Sequence, residues 1–174
     1  MDIIDVIQKR RSIRSYTSES ISDEVITSLL ESARLAPSWM NKQCWHFIVV
    51  KDSEIIEEIS HTTIINRWIK QAPICIVACA DPHQSGSHHG VEYYTVDVAI
   101  AMEHLVLAAA DKGLGTCWIG AIKEEKIKAI LHIPPRIRII AMTPLGYPKE
   151  KKVQILFRNQ KRKTINEFAH INHW

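Results

Sequence analysis

The sequence predicts a single α+β domain. Strand-like segments rich in apolar residues occur at residues 47–50, 74–80 and 137–143, and segments with helical periodicity lie between and around them. Hydrophobic residues make up 46% of the 174-residue chain, which is enough to build a core in one domain or in one subunit of an intertwined oligomer. We therefore expect a small sheet with helices packed on it.

The helical segments are recognised by their apolar spacing and by their ends. A first set is predicted at residues 2–9, 53–59 and 123–131. Another helix is expected to begin at Ser22, because serine is a favourable N-cap and Asp23 and Glu24 place negative charge in the first turn. This helix is predicted to end by Pro37.

The longest helical segment, residues 91–112, has apolar residues on nearly every face. A helix of this kind must be buried on all sides, which a small single subunit rarely achieves, so we expect it to form a subunit interface. Asp97, Glu103 and His104 are its polar exceptions, and they are predicted to be hydrogen-bonded core or interface residues rather than catalysts. Gly113 is predicted to end the helix as a left-handed cap.

A compact basic cluster follows the first predicted helix. Its arginines are Arg10, Arg11 and Arg14, and Ser12 adds a hydroxyl between them. Guanidinium groups bind phosphate oxygens through paired hydrogen bonds and keep their charge, so the cluster is a candidate phosphate site. The alternative is a solvated basic surface, and the cluster alone does not separate the two.

The loop after the second helix, P-S-W-M-N-K-Q-C-W-H-F, is rich in amide, hydroxyl and indole groups. Ser38, Asn41 and Gln43 can hydrogen-bond the edge of a heterocycle, and Trp39 offers a flat surface. Loops that carry function on a rigid scaffold often have this composition. A polar turn anchored in the core by its tryptophans remains the alternative.

A glycine-rich segment, G-L-G-T-C-W-I-G at residues 113–120, follows the long helix. Its glycines allow the backbone to approach a ligand closely and to offer N–H groups to it. The segment is not G-x-G-x-x-G and follows a helix rather than a strand. It therefore excludes a Rossmann dinucleotide site.

Composition argues against several other functions. The net charge of +3 arises near the C-terminus, where residues 149–163 contain seven basic residues and one acidic residue. This segment lacks the interleaved aromatic residues and the recognisable module of nucleic-acid-binding proteins, so no nucleic-acid partner is expected. No signal peptide or membrane span is predicted, and the expected location is the cytoplasm.

Metal binding is not predicted. The four cysteines are scattered and resemble small buried hydrophobic residues. His83, His88 and His89 lie in a loop at residues 81–90 without acidic or cysteine ligands at helical spacing. A solvated loop over the mouth of an active site is favoured, and the role of these histidines stays open.

Four motifs in this order resemble the nitroreductase family of FMN-dependent, homodimeric NAD(P)H oxidoreductases. They are R-R-S-I-R, P-S-x-x-N-x-Q-x-W, G-L-G-T-C-W-I-G and P-L-G-Y-P followed by a basic tail, and together they span nearly the whole chain. The resemblance implies a central mixed, mostly antiparallel sheet flanked by helices, in an intertwined homodimer with a long buried interface helix. Residues 1–174 would form one FMN-binding domain, with residues 149–174 as a basic C-terminal extension that packs on the partner subunit.

The resemblance also implies which residues bind the phosphate of FMN. The phosphate and ribityl end would be held by Arg10, Ser12 and Arg14, with Arg11 adjacent and contributing through its backbone. A late basic residue usually completes this site, and Arg162 fits that position best, with Arg158 as the alternative.

The flavin ring would be contacted from two sides. Family members place the loop that matches Pro37, Ser38 and Trp39 against the flavin of the partner subunit, with Asn41 and Gln43 in support. The residues that match the segment beside the isoalloxazine, where one backbone N–H faces N5, are Trp118, Ile119 and Gly120. Cys44 stands where the family commonly has proline, so this turn is expected to be looser.

The implied activity is hydride transfer from NAD(P)H to N5 of FMN, followed by electron transfer to a small acceptor such as a nitroaromatic or a quinone. Because the flavin carries the chemistry, no catalytic protein residue is expected. The alternatives are an FMN-binding or FMN-sensing protein without efficient turnover, and a specialised role such as dehalogenation.

Overall fold

The computed structural model describes residues 2–63, 65–149 and 162–174. The α-helices are α1 (Ile3–Lys9), α2 (Asp23–Arg34), α3 (Ser53–His61), α4 (Tyr93–Asp111) and α5 (Glu124–Leu131). The strands are β1 (Trp45–Val50), β2 (Ile74–Ala80), β3 (Ser87–His88), β4 (Val91–Glu92), β5 (Gly115–Thr116) and β6 (Arg138–Gly146). Short 3₁₀ helices lie at Trp39–Asn41, Arg67–Gln71, Pro82–Gln84 and Ile165–Glu167. The predicted α+β class is confirmed.

The main sheet has the strand order β1-β2-β6-β5, and each of its ladders is antiparallel. β2 is buried along its whole length, in agreement with its continuous apolar sequence. An isolated parallel bridge between Ser12 and Thr116 adds the segment after α1 to the β5 edge. β3 and β4 form a separate short hairpin. The predicted mixed, mostly antiparallel sheet is confirmed.

Helices cover both faces of this sheet. Successive side chains of a strand point to opposite faces, so neighbouring residues of β2 enter different clusters. Val77 packs with Ile56 of α3 and Ile127 of α5. Ile76 packs on the other face, with Leu105 of α4 and with α2.

The prolines and the glycine of P-L-G-Y-P, residues 144–148, predict a turn after the third long strand, but the first part of this prediction is wrong because β6 continues to Gly146. Proline lacks an N–H and is tolerated in a strand only where a ladder bond is not needed. β5 pairs only with Leu145 and Gly146, so the ladder on that side has already ended at Pro144. Gly146 must lack a side chain, since a Cβ there would lie 2.8 Å from Cδ of Pro73.

The shortest elements were not expected from the sequence. β3, β4 and β5 contain two residues each, which is too few to show a periodic pattern. The long helix begins at Tyr93, because the preceding residues 91–92 pair in the β3–β4 hairpin. Gly113 ends this helix with φ +76°, as predicted.

α4 is buried only where it faces the sheet and α2. Val98, Met102 and Leu105 are fully buried, whereas Val96 is 42% exposed. By length and composition this is the one helix among the described residues that could cross a membrane, but it packs in the core and Asp97 is buried within it. The expectation of burial on every side therefore requires a second subunit and stays a prediction.

The described C-terminal residues, 162–174, are exposed. Thr164 and Glu167 form a capping box around the last 3₁₀ helix. The exposed large apolar residues here are Ile165, Phe168, Ile171 and Trp174. Residues 150–161, including Arg158, lie outside the described part, so the packing of residues 149–174 on a partner stays a prediction.

Candidate cofactor-binding site

The basic cluster begins where α1 ends. Arg10 is the C-cap, and its backbone N–H donates to the carbonyl of Val6 at 2.8 Å. The exposed guanidinium of Arg11 donates to the carbonyl oxygens of Gln8 and Arg10, the latter at 2.8 Å. Because these are the unpaired carbonyls at the end of α1, the Arg11 side chain serves the helix terminus.

The segment after Arg11 is fixed to the glycine-rich segment. The Ile13 N–H donates to the Thr116 carbonyl at 2.8 Å, beside the bridge between Ser12 and Thr116. A Cβ at Gly115 would lie 2.8 Å from Cβ of Ile13, so only glycine permits this approach. The basic cluster and the glycine-rich segment, which are far apart in sequence, thus meet at the β5 edge of the sheet.

Charged and polar groups converge on Cys117 at this edge. Burial raises the pKa of the Cys117 thiol, whereas Arg14, the Ser12 hydroxyl and Arg10 lower it. Three of the residues predicted to bind phosphate therefore act on one thiol within the glycine-rich segment. Guanidiniums and a hydroxyl beside a glycine-lined backbone are the donor set that a phosphate ester needs, so these residues fit the phosphate end of FMN.

Glu103 of α4 joins the two motifs and was not predicted as a site residue. Its Oε1 lies 3.8 Å from Nε of Arg10, and its Oε2 accepts a hydrogen bond from Nε1 of Trp118 at 3.1 Å. The expectation that Glu103 is hydrogen-bonded is correct. The sequence offered no signal for its partners, because they lie in other segments of the chain.

The backbone N–H groups of the glycine-rich segment are not equivalent. The Cys117 N–H donates to Oγ1 of Thr143, and the Ile119 N–H donates to the carbonyl of Met142, both at 2.9 Å. Among the described residues, the structure shows no hydrogen bond for the N–H of Trp118 or of Gly120. Among the three residues predicted to lie beside the flavin, Ile119 therefore already uses its backbone N–H in a hydrogen bond to β6.

Gly120 is exposed and lines a cavity of about 380 Å³ between α3 and α5. The other lining residues are Thr62, Thr63, Ile65, Asn66, Ala121, Ile122 and Lys123. Asn66 contributes an amide and Lys123 an ammonium group. The cavity therefore offers hydrogen-bonding groups beside the Gly120 backbone.

The loop at residues 38–43, called the Trp39 loop below, has an unusual backbone. Met40, Asn41 and Gln43 all have positive φ, at 47°, 56° and 50°. Oγ of Ser38 accepts a hydrogen bond from the Gln43 N–H at 2.9 Å, and Nε2 of Gln43 donates to Oδ1 of Asn41 at 3.2 Å. The amides predicted to support a flavin are thus held to each other and remain exposed.

Trp39 itself is anchored on α4. Its indole stacks on the ring of Tyr93, with 5.9 Å between ring centroids, and its backbone N–H donates to Asp97 at 2.8 Å. The adjoining Pro37 is exposed. Trp39 therefore anchors the turn, as the alternative interpretation of this loop predicted. Pro37 and the side-chain amides of Asn41 and Gln43 stay accessible.

The two groups of predicted residues lie at opposite edges of the sheet. The Trp39 loop leads into β1, which is one edge, and the bridge between Ser12 and Thr116 lies beyond β5 at the other. Three inter-strand spacings separate these edges by roughly 14 Å. Within one chain the structure brings together Arg10, Ser12, Arg14 and Trp118, but not the Trp39 loop with them.

The remaining predicted residues fall outside this constellation. Arg162 is exposed, and no hydrogen bond or ion pair is shown for it among the described residues. His88 and His89 lie at the β3–β4 hairpin with their rings 4.0 Å apart. No group of three metal-ligating side chains is found in residues 2–63, 65–149 and 162–174.

Comparisons with known proteins show one family to which this chain is similar. The family model described as the nitroreductase family matches residues 7–65 and 57–147. A curated protein of Archaeoglobus fulgidus, provisionally named an NADH dehydrogenase/NAD(P)H nitroreductase, is 39% identical over 155 residues, covering 87% of this chain and 88% of its own length. The FMN reductase [NAD(P)H] of Bacillus subtilis is 28% identical over 170 residues, covering 88% of this chain and 68% of its own. A crystal structure of a family protein from Clostridium novyi NT has a TM-score of 0.82 at 41% identity, covering 86% of this chain and 87% of that one.

Proposed function

This chain belongs to the nitroreductase family, and from that premise we propose that it passes electrons from NAD(P)H to a small acceptor such as a nitroaromatic or a quinone. It is an NAD(P)H-dependent flavin oxidoreductase that uses FMN, as its FMN reductase relative indicates. The observation that carries the proposal is the contact between the basic cluster and the glycine-rich segment, because Ser12 bridges Thr116 and Glu103 contacts both Arg10 and Trp118.

The phosphate end of FMN is assigned to this cluster. Arg10 and Arg14 supply positive charge and Ser12 supplies a hydroxyl, and a phosphate accepts hydrogen bonds from both kinds of group. Glu103 orients the Arg10 side chain through an ion pair, and its other carboxylate oxygen accepts a hydrogen bond from the Trp118 indole. Arg11 takes part through its backbone only, because its guanidinium is bound to the end of α1.

The donor to flavin N5 is assigned to the Gly120 backbone N–H. Ile119 is excluded because its N–H is bonded to Met142. The N–H of Trp118 is the other candidate, but Gly120 is the exposed one and lines the cavity. A preoriented donor and nearby positive charge stabilise the negative charge that develops during reduction.

The chemistry that FMN supplies when bound is hydride acceptance from NAD(P)H and then electron transfer to the second substrate, in alternating half-reactions. The residues of this chain hold and orient the ring and the two substrates in turn. A protein nucleophile is not required, which is consistent with the unreactive state of the cysteines. Burial raises the pKa of Cys75 and Cys79 to about 12.

The site is proposed to be completed by a second copy of the chain. Arg10 and the Trp39 loop lie at opposite edges of one sheet, so two subunits would bring them to one flavin. The surface that would pair is apolar, because Ile3 is 58% exposed and Leu35 is 65% exposed. Together with Leu107 they line a cavity of about 460 Å³ between α1, α2 and α4. Burial of this surface would favour an intertwined homodimer.

The C-terminal extension is proposed to strengthen the same dimer. Four large apolar side chains in residues 162–174 are exposed, and a partner subunit would cover them. Arg162 would then add its charge to a phosphate site. This assignment carries over from the family resemblance, and Arg158 remains its alternative.

The test is anaerobic reduction of the purified protein after incubation with FMN. We expect a yellow protein whose flavin absorbance bleaches with NADH or NADPH and returns when a quinone or nitroaromatic is added. Bound flavin that stays oxidised in excess NAD(P)H would contradict the enzyme and support an FMN-binding role. A protein that binds no FMN would contradict both.

A further inference from the structure

Asp97 is a buried carboxylate at which three separate segments of the chain meet. It lies in α4 and is 3% exposed. Its Oδ1 accepts the hydrogen bond from the backbone N–H of Trp39 at 2.8 Å. Its Oδ2 lies 3.4 Å from Oγ of Ser85 and 3.6 Å from Sγ of Cys44. One side chain thus joins the Trp39 loop, the start of β1 and the loop before β3.

The Trp39 loop needs support from outside. Met40, Asn41 and Gln43 adopt left-handed backbone conformations, which residues with a Cβ avoid because of steric contact with the carbonyl oxygen. The hydrogen bonds inside the loop, such as that from the Gln43 N–H to Ser38, close the turn but do not attach it to the domain. Tertiary contacts must therefore hold this conformation in place.

The contacts of Trp39 divide into two kinds. Its indole is confined, since it stacks on Tyr93 and a Cβ at Gly86 would lie 2.6 Å from its Cη2. Its backbone is held by Asp97. The contacts with Tyr93 and Gly86 fix the indole ring. The hydrogen bond to Asp97 fixes the backbone of Trp39, which directly precedes residues 40–43.

The second carboxylate oxygen of Asp97, Oδ2, can accept hydrogen bonds from Cys44 and Ser85. Burial and the nearby Asp97 raise the pKa of Cys44 to about 11, so this thiol keeps its proton at neutral pH and can donate it. The Ser85 hydroxyl is the second donor. Both carboxylate oxygens of Asp97 therefore have hydrogen-bond donors, without a basic partner among the contacts shown.

We propose that Asp97 is a positioning residue that fixes the Trp39 loop in the conformation needed to cover the flavin of the partner subunit. This role rests on the proposed function, because the loop meets a flavin only in the dimer. Asp97 contacts neither substrate nor cofactor and acts through Trp39. Its loss would leave the Trp39 N–H without an acceptor, which favours opening of the loop.

Amide hydrogen exchange of the full-length protein tests the anchoring itself, with and without FMN. In Asp97→Ala, exchange of residues 38–43 should accelerate by about tenfold or more, as expected for a lost hydrogen bond to a charged acceptor. Exchange in β2 should change by less than about threefold, because the sheet does not depend on this contact. Asp97→Asn keeps an oxygen that can accept from Trp39 and should restore protection of the loop.

Ser85→Ala is the matched control, because it removes one contact of Oδ2 and leaves the bond to Trp39 intact. It should alter loop exchange by less than about threefold. Unchanged loop exchange in Asp97→Ala would overturn the proposal. Equal acceleration in β2 and in the loop would also overturn it, since that pattern reports global destabilisation.

Steady-state kinetics of the FMN-loaded protein test the functional consequence. Asp97→Ala should raise KM for NAD(P)H and for a quinone acceptor by about tenfold, with kcat changed by less than about threefold, because an opened loop would no longer form one wall of the substrate site. Asp97→Asn should return KM to near the parent value. Equal KM values in all three proteins would contradict the functional role. A failure to bind FMN would refute the proposed function, and the exchange result alone would then decide whether Asp97 anchors the loop.

Discussion

Arg10 and Arg11 are identical residues with different environments. The Arg10 guanidinium faces Glu103, close to Ser12 and Cys117. The Arg11 guanidinium is exposed and binds carbonyl oxygens at the end of α1. Residue type therefore does not distinguish the proposed phosphate ligand Arg10 from the helix-capping Arg11, and the direction of each side chain does.

The first prediction uses this pair as a matched comparison. Replacing both Arg10 and Arg14 by alanine should weaken FMN binding on the order of 1000-fold, because each charge-assisted hydrogen bond contributes about 1.5–3 kcal/mol. Arg11→Ala removes the same charge but keeps the backbone, and it should weaken binding by less than about threefold. Titration of the flavin fluorescence gives the dissociation constants. Equal losses in Arg10→Ala and Arg11→Ala would show that only net charge matters.

The second prediction concerns Cys75, which is fully buried in β2. Burial raises its pKa to about 12 from an ordinary value of 9.0, so the folded protein keeps a proton that the unfolded chain loses. The stabilisation is complete below about pH 9 and is lost as the pH rises towards about 12, by up to about 1.4 kcal/mol per pH unit. Urea unfolding at about pH 8 and about pH 10 measures this change. Cys75→Ala should lose less stability over the same interval, and an identical loss would contradict the assignment.

At the scale of the element, α4 serves two purposes on two faces. One face packs on the sheet through Val98, Met102 and Leu105. The other is only partly covered, and it carries Leu107 beside the cavity that α1 and α2 border. A helix with apolar residues on both faces is stable in this position only if something covers the second face.

The third prediction is that Leu107→Lys weakens the dimer by at least about 100-fold, because it would replace an apolar side chain of the interface by a charged one that loses its hydration on burial. Sedimentation equilibrium measures the dissociation constant. Ala129→Lys adds the same charge to an exposed position of α5, on the other side of the sheet, and should leave the dimer unchanged. A Leu107→Lys protein as dimeric as the parent would remove this helix from the interface.

At the scale of the whole molecule, the proposed site requires two chains. The arginine cluster and the Trp39 loop lie at opposite edges of the sheet in one subunit. In a twofold dimer each flavin would take the cluster from one subunit and the loop from the other. Each of the two sites would therefore contain residues from both copies.

The fourth prediction follows from this sharing. A variant that lacks Arg10 and Arg14 and a Trp39→Ala variant should each be nearly inactive. When equal amounts are mixed and the subunits exchange, about half of the dimers should contain one copy of each variant. Each mixed dimer has one intact site out of two, so the mixture should recover about one quarter of the parent activity. The measurement is NAD(P)H oxidation after mixing. Activity no higher than the mean of the two variants would place each site within a single chain.

Sequence reasoning performed well where the signal is local. Ser22 caps α2 through its hydroxyl, as expected, because an N-cap depends on the next few residues only. It failed at Pro144, which lies in a strand because of where β5 ends. Asp97 and Glu103 are hydrogen-bonded, as expected, but their partners were not predicted, since these come from other segments of the chain. Contacts between distant segments leave no periodic pattern in the sequence.

The sequence by itself determined the helices, the longer strands and the ordered motifs that indicate an FMN-dependent member of this family. Periodicity, capping and short motifs are properties of neighbouring residues, so they can be recognised without coordinates. Only the tertiary structure decided that Arg11 turns to its own helix, that Ile119 is engaged in the sheet while Gly120 is accessible, and that Asp97 holds the Trp39 loop. These outcomes depend on which distant groups meet, because hydrogen bonds and ion pairs are set by the positions that folding gives to their donors and acceptors.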